Sequence, residues 1–250
     1  MSKQEACKEP QGILVRVGAD FSYGGTHSPG NAENRRFVYV PIPEKESRVR
    51  EGYGRLYSEA TNPVRRFLGE TGFERYRMPS GKFMHLDPDF EHLTYGDNGS
   101  ARGSGVARLK AGDFIAFYSA IRPFDKPDLG LVYGLIGLLF VDHVVKACEV
   151  PHGRWHENAH TRRAEISPND VVVFGMRESS GLLQQYISIG SYRNGAYRVL
   201  PELLDAWGGL SVRDGFIQRS ARPPRFLDPK RFLTWFSSQE NSLIAANWPR

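Results

Sequence analysis

The chain has 250 residues, 40% of them hydrophobic and 24% charged, with a formal net charge of +5. That length can bury a full core, and the basic balance admits an anionic partner without proving one. Cys7 and Cys148 give neither a disulfide framework nor a Cys-x-x-Cys zinc pair, and MSKQEACKEP lacks the apolar core of a signal peptide, so a cytoplasmic protein with reduced thiols and no membrane span is expected.

Residues 1–11 are polar and are expected to be flexible. Ile13 to Val17 reads as a strand, with Arg16 inside it and Gly18-Ala19-Asp20 at its end. The loop from Phe21 to Asn31 holds Gly24, Gly25, Pro29 and Gly30. Such a loop can offer backbone N–H groups to a phosphate, but it is neither Gly-x-Gly-x-x-Gly nor a Walker sequence. With Arg16 and Asp20 beside it, this strand end is a candidate site. Phe37 to Ile42 alternates and runs into Pro41-Ile-Pro43, a strand terminated by prolines. From Glu44 to Lys82, Arg65, Arg66, Arg75, Arg77 and Lys82 interleave with Tyr53, Tyr57, Phe67, Phe73 and Tyr76. That mixture suits phosphate contact plus base stacking, or a solvated face over a small satellite core. His85 to Gly105 is rich in loop residues. Asp97, within Thr94-Tyr95-Gly96-Asp97, is a candidate catalytic carboxylate or a plain turn former.

Leu109 to Val145 is the stretch around which the chain is organised. Gly112-Asp113 makes a turn that opens a strand from Phe114 to Tyr118, and Leu131 to Val141 is apolar except at Gly134 and Gly137. The run falls short of the ~20 residues that span a bilayer. It fits a strand buried on both faces, so the pair predicts the central hairpin of an α+β sheet.

His152, His156 and His160 are spaced by four, which on one helix would align them for a metal. Pro151 and Gly153 argue against that helix, and no metal site is expected. His160 beside Arg162 and Arg163 suits an anionic substrate, or is a solvated basic turn. Val171 to Phe174 reads as a strand. Ser179 to Ile189, SSGLLQQYISI, reads as a helix start whose hydroxyls and N–H groups form an anion site or an ordinary cap. Leu200 to Trp207 is a short helix stopped by Gly208-Gly209. In FIQRSARPPRFLDPKRFLTWFSSQ, Arg219, Arg222 and Arg225 flank Pro223-Pro224, an extended path suited to a phosphate backbone. Asp228 then caps a helix with Pro229 at its first position, and Phe232, Trp235 and Phe236 share one face. With no repeat, coiled coil or linker, one α+β domain over residues 1–250 is the simplest division.

Taken together, VRVGAD, FVYVPIPE, TYGD, LKAGDFIAFYSAI, LVYGLIGLLFV, NAHTRR, FGMRESSGLL and QRSARPPRFL resemble the nucleotide-modification-associated domain family of the third class, whose members are linked to DNA base hypermodification. The likeness covers nearly the whole chain. It implies an α+β fold with a central mixed sheet and peripheral helices. It also implies a nucleotide or nucleic acid as partner, other base-modification proteins as companions, and no specified cofactor. The polar positions carried over are Arg16, Asp20, Thr94, Tyr95, Asp97, Asp113, His160, Arg162, Arg163, Ser180, Arg219 and Arg225. Gly181 departs from the basic residue usual there. The Gly-Asp turn and the two strands after it are also similar to the PUA-like and EVE-type barrels that read modified bases. Two functions follow. One is an enzyme with Asp20, Asp97 and His160 as catalytic candidates and arginines on phosphate. The other is a non-catalytic reader in which Tyr95 and Tyr118 stack a modified or flipped base. Arg16, Asp20, Asp97, His160 and Arg163 are expected to line one cleft.

Overall fold

The computed structural model describes residues 9–20, 22, 26–218 and 222–249. In chain order the elements are β1 (Gly12–Arg16), β2 (Ser28–Gly30), β3 (Ile42–Glu44), β4 (Arg55–Leu56), α1 (Ser58–Arg75), β5 (Phe83–His85), β6 (Thr94–Asn98), β7 (Phe114–Pro123), β8 (Val132–Lys146), β9 (Asp170–Gly175), β10 (Gly181–Arg193), β11 (Ala196–Val199), α2 (Pro201–Ala206), α3 (Pro229–Ser237) and β12 (Leu243–Ile244). The main sheet is mixed and follows the path β1-β7-β8-β10-β11, with β2 added to β7, β12 to β10, and β9 and then β6 to the far end of β8. This pairing path does not return to its start among the described residues. A second, three-stranded sheet is ordered β3-β5-β4.

The expected central hairpin is present, and both of its strands run further than the apolar pattern indicated. Alternation in β7 sends Ile115, Phe117 and Ile121 to one buried cluster and Phe114, Ala116, Tyr118 and Ala120 to the other, so neither face meets water. Gly137 in β8 is a packing glycine. A Cβ there would lie 2.6 Å from the Phe90 ring and 2.7 Å from the Gly181 carbonyl.

Two segments differ from expectation. Ser179 to Ile189 is not a helix start; from Gly181 onward it is β10, antiparallel to β8. Leu182 packs into one core cluster and Leu183 into the other, which is strand geometry. Phe37 to Ile42 is not one continuous strand; it bears a Gly30–Phe37 bridge and hydrogen bonds to Pro29 and Ala19, and the ladder begins at Ile42 and includes Pro43. Pro43 is tolerated because β3 is an edge strand, where a missing N–H costs no ladder bond. The polar stretch between residues 44 and 82 carries α1, with Ala60 and Val64 buried one turn apart and a non-helical kink at Gly69, φ 66°.

The C-terminal part closes one sheet face. Asp228 accepts from the Arg231 N–H and caps α3, as the sequence indicated. The extended Pro224–Phe226 step lies along β1, with Leu14 N–H donating to the Pro224 carbonyl at 2.8 Å and Phe226 N–H to Gly12 at 3.0 Å. Phe232 is fully buried against Phe226, with ring centroids 4.0 Å apart, and stacks on Phe114 at 5.3 Å. Among the described residues no helix is long and apolar enough to cross a membrane.

Candidate functional site

On the other side of the sheet, short strands and one loop bring ionisable groups together. Antiparallel pairing of β3 with β5 places Glu44 near His85, and the Glu44 Oε2 lies 2.9 Å from His85 Nδ1. Two residues beyond His85, Asp87 accepts the Gly96 N–H on both oxygens, at 2.9 and 3.0 Å. The loop before β9 then folds over β6. Asn158 donates to Asp87 Oδ1 at 3.3 Å and to Thr94 Oγ1 at 3.2 Å, and its own Oδ1 accepts the His160 N–H at 2.8 Å. His160 Nδ1 meets Asp170 Oδ2 at 2.7 Å, and Arg163 spans Asp170 at 3.3 Å and Glu44 at 3.4 Å. Gly96 permits the approach, since a Cβ there would sit 2.4 Å from the His160 ring.

Both imidazoles are therefore held in the same manner. An ionised carboxylate accepts a hydrogen bond and cannot donate one, so Nδ1 carries the proton in each ring. Both Nε2 atoms face Asp87 Oδ2, at 3.8 Å from His85 and 3.6 Å from His160. The rings lie 5.2 Å apart at 65°.

Burial dominates the electrostatics of this cluster. It pulls the His85 pKa down to about 4, aided by the neighbouring charges of His160 and Arg163. It pushes Asp87 up to about 7 and Asp97 above the usual carboxylate range. Burial also acts upward on Glu44, but the His85 hydrogen bond and the Arg163 charge outweigh it and hold Glu44 at about 2. Asp170 is lowered in the same way, burial being overcome by His160 and Arg163. The Tyr95 phenol, buried and 3.3 Å from Asp97 Oδ2, is raised well above its ordinary value. Half-buried Asp97 stands at the edge of the group.

A cleft of about 690 Å³ lies on the same side of the sheet. Arg36, Arg66 and Arg75 share its walls with Phe37, Phe67 and Trp248. One of its lining residues reaches the main chain of the polar cluster and a second reaches the group beside it. Tyr39 donates its hydroxyl to the Asp87 carbonyl at 2.9 Å, and Asn247 donates to Asp89 Oδ1 at 2.9 Å. The Trp248 indole N–H in turn donates to the Tyr39 carbonyl at 2.9 Å.

The residues singled out in the sequence fall into separate groups. Tyr95, Asp97, His160 and Arg163 lie in the cluster. Arg162 adjoins it, but its guanidinium is buried against Asp89 at 2.6 Å and the His156 carbonyl. Arg16 and Asp20 pair with each other at 3.3 Å. Arg16 also donates to the Gln218 carbonyl and lies over the Tyr133 ring, on the opposite sheet face. No hydrogen bond or ion pair joins this pair to His160 among the described residues. Tyr118 is 1% exposed, donates to the Ile217 carbonyl, and so offers no free ring face for a base. Ser180 is buried, with its hydroxyl accepting from Phe140 N–H at 2.9 Å. Arg222 and Arg225 are exposed; Arg219 lies outside the described residues. His152 packs on Trp155 and Tyr53, and His156 on His92, so the four-residue histidine spacing does not gather three rings. Glu44, His85, Asp87, Asn158 and Asp170 were not singled out. His85-Leu86-Asp87 did carry a signal, because two-residue spacing next to a strand turns both side chains to one side.

A family model described as nucleotide modification associated domain 3 matches residues 11–224. Neither the curated proteins nor the solved structures gave a match.

Proposed function

The chain belongs to the nucleotide modification associated domain 3 family, and on that premise we propose that it binds a nucleotide or DNA base in the 690 Å³ cleft and acts on it from the adjoining polar cluster. The observation that carries this reading is the junction between the two. A wall of arginines and aromatics includes Tyr39, which bonds the main chain of Asp87 within the group of two imidazoles and several carboxyls, and Asn247, which bonds the adjacent Asp89. The cleft has the size of a small-ligand site. Phe37, Phe67 and Trp248 supply stacking surface, and Arg36, Arg66 and Arg75 supply phosphate partners. Asp97, at the edge of the cluster, is raised by burial and is the acid/base candidate, with His160 behind it.

Calorimetric titration with nucleoside 5′-monophosphates and short single-stranded DNA tests this reading. Phe37→Ala and the pair Arg66→Ala/Arg75→Ala should each weaken binding roughly ten-fold or more. Unchanged affinity in both folded variants contradicts it. A non-catalytic reader of modified or flipped bases would use the same cleft. The two readings part at Asp97→Asn, which ends turnover of a bound base in an enzyme and leaves a reader's binding intact.

A further inference from the structure

Within the cluster, three donor atoms are aimed at one point. His85 Nε2, Asp87 Oδ2 and His160 Nε2 lie within 4.8 Å of one another, and the two nitrogens stand 3.8 and 3.6 Å from the oxygen. Those separations are too long for hydrogen bonds. They suit ligands sharing an ion, since two bonds of about 2.1 Å meeting near the tetrahedral angle hold their donor atoms about 3.4 Å apart. Each imidazole is committed through Nδ1 to a carboxylate, His85 to Glu44 and His160 to Asp170, which leaves the Nε2 lone pairs directed at Asp87. This carboxylate–histidine arrangement is the one that orients imidazole for metal binding. Asp87 is itself fixed by Gly96 and Asn158.

From this geometry we propose that His85, Asp87 and His160 are the protein ligands of a divalent first-row transition-metal ion. Two imidazoles and one carboxylate select iron(II), manganese(II), cobalt(II) or zinc(II) over magnesium and calcium, which take oxygen ligands. Charge points the same way. Among the described residues Arg163 is the one guanidinium bonded to Glu44 and Asp170, and it stands on their side of the rings, so two carboxylates share one cation while Asp87 faces the Nε2 atoms. The neighbouring group Asp89, Glu91 and His92 is a contrast. There Arg162 at 2.6 Å and Arg55 at 3.6 Å already occupy Asp89 and would repel a cation. An ion at His85, Asp87 and His160 leaves coordination positions for water or substrate.

The inference rests on reading this cluster as the functional centre, and its test runs without nucleotide so that the two can fail separately. The full chain is stripped with chelator, dialysed, and titrated one at a time with iron(II) under anaerobic conditions, manganese(II), cobalt(II) and zinc(II). Bound metal is counted by atomic emission. The expected result is about one ion per chain, undisturbed by excess magnesium. His85→Ala and His160→Ala should abolish it, and Glu44→Gln and Asp170→Asn should weaken it about 10- to 100-fold. If the histidine variants do not fold, pulsed electron paramagnetic resonance of the copper(II)-loaded wild type decides, with two coordinated imidazoles expected. The inference is overturned if folded, stripped wild type retains none of the ions, if both histidine variants retain the ion undiminished, or if the spectrum shows fewer than two imidazoles. A chain that binds the ion but no nucleotide keeps this inference and loses the functional reading; a chain that binds nucleotide but no ion does the reverse.

Discussion

On one face of the β7–β8 hairpin, Phe114, Trp207, Phe226 and Phe232 meet ring on ring. On the other, beyond Phe117 and Phe90, stand His85, Asp87, Asp89, His160 and Arg162, all buried or nearly so. The first face is stabilised by removing apolar surface from water, at roughly 25 cal/mol per Å², with a further gain from ring geometry. The second contains carboxyls whose desolvation is offset only by particular partners. Apolar side chains of similar volume would often hold such a site as well or better. A buried polar group that perturbs its own members, as burial perturbs Asp87 and His85, is the mark of a site built for chemistry or binding. The two faces thus teach which substitutions should cost stability and which should cost function.

The largest effect should come from the apolar face. Phe232→Ala removes a fully buried ring from five aromatic neighbours and should cost about 3–5 kcal/mol, read from denaturant midpoints. Nucleotide affinity of the folded fraction should not change. A cost below about 1 kcal/mol would mean that this face repacks freely and the contrast is weaker than drawn. Arg162→Met comes next. It strips Asp89 of its closest charged partner and should cost about 3 kcal/mol, whereas Arg162→Met with Asp89→Leu should recover most of that loss. Equal losses in the single and double variants would show that the pair acts through its packing instead. The smallest effect on stability belongs to the C-terminal arginines, of which Arg222 and Arg225 are exposed. Replacing Arg219, Arg222 and Arg225 by alanine should shift stability by no more than about 0.5 kcal/mol. If those arginines follow a nucleic-acid backbone, the salt dependence of DNA binding should flatten by roughly two to three phosphate contacts. An unchanged slope with a lowered melting temperature assigns them to holding the chain against β1.

How far the sequence revealed this division depended on the range of each signal. The hairpin was legible because β7 and most of β8 are apolar on both faces, a pattern that needs no knowledge of partners. The Asp228-Pro229 cap was legible for the same reason, being complete within one turn. β10 was misread because serines before an apolar run resemble a helix cap, while its pairing with Leu138 and Gly137 of β8 is set some forty residues away. Arg16 and Asp20 were grouped with the cluster because both stand at a strand end. Strand alternation instead gives Arg16 the face of Tyr118 and Tyr133. Asp97, His160 and Arg163 were found as isolated polar residues, but the groups that give them meaning were not. Glu44 reaches His85 across 41 positions and Asn158 reaches Asp87 across 71, separations that carry no local pattern.

The central claim is that the polar cluster is retained for function. The most direct measurement is the unfolding free energy of Asp87→Asn in chelator, set beside its metal and nucleotide binding. Asparagine keeps the shape and an acceptor for the Gly96 N–H while removing a buried charge. The account predicts stability within about 1 kcal/mol of wild type, or above it, with metal binding lost. A loss of about 3 kcal/mol or more, with metal and nucleotide binding of the folded fraction unchanged, would contradict it and make the cluster a structural network.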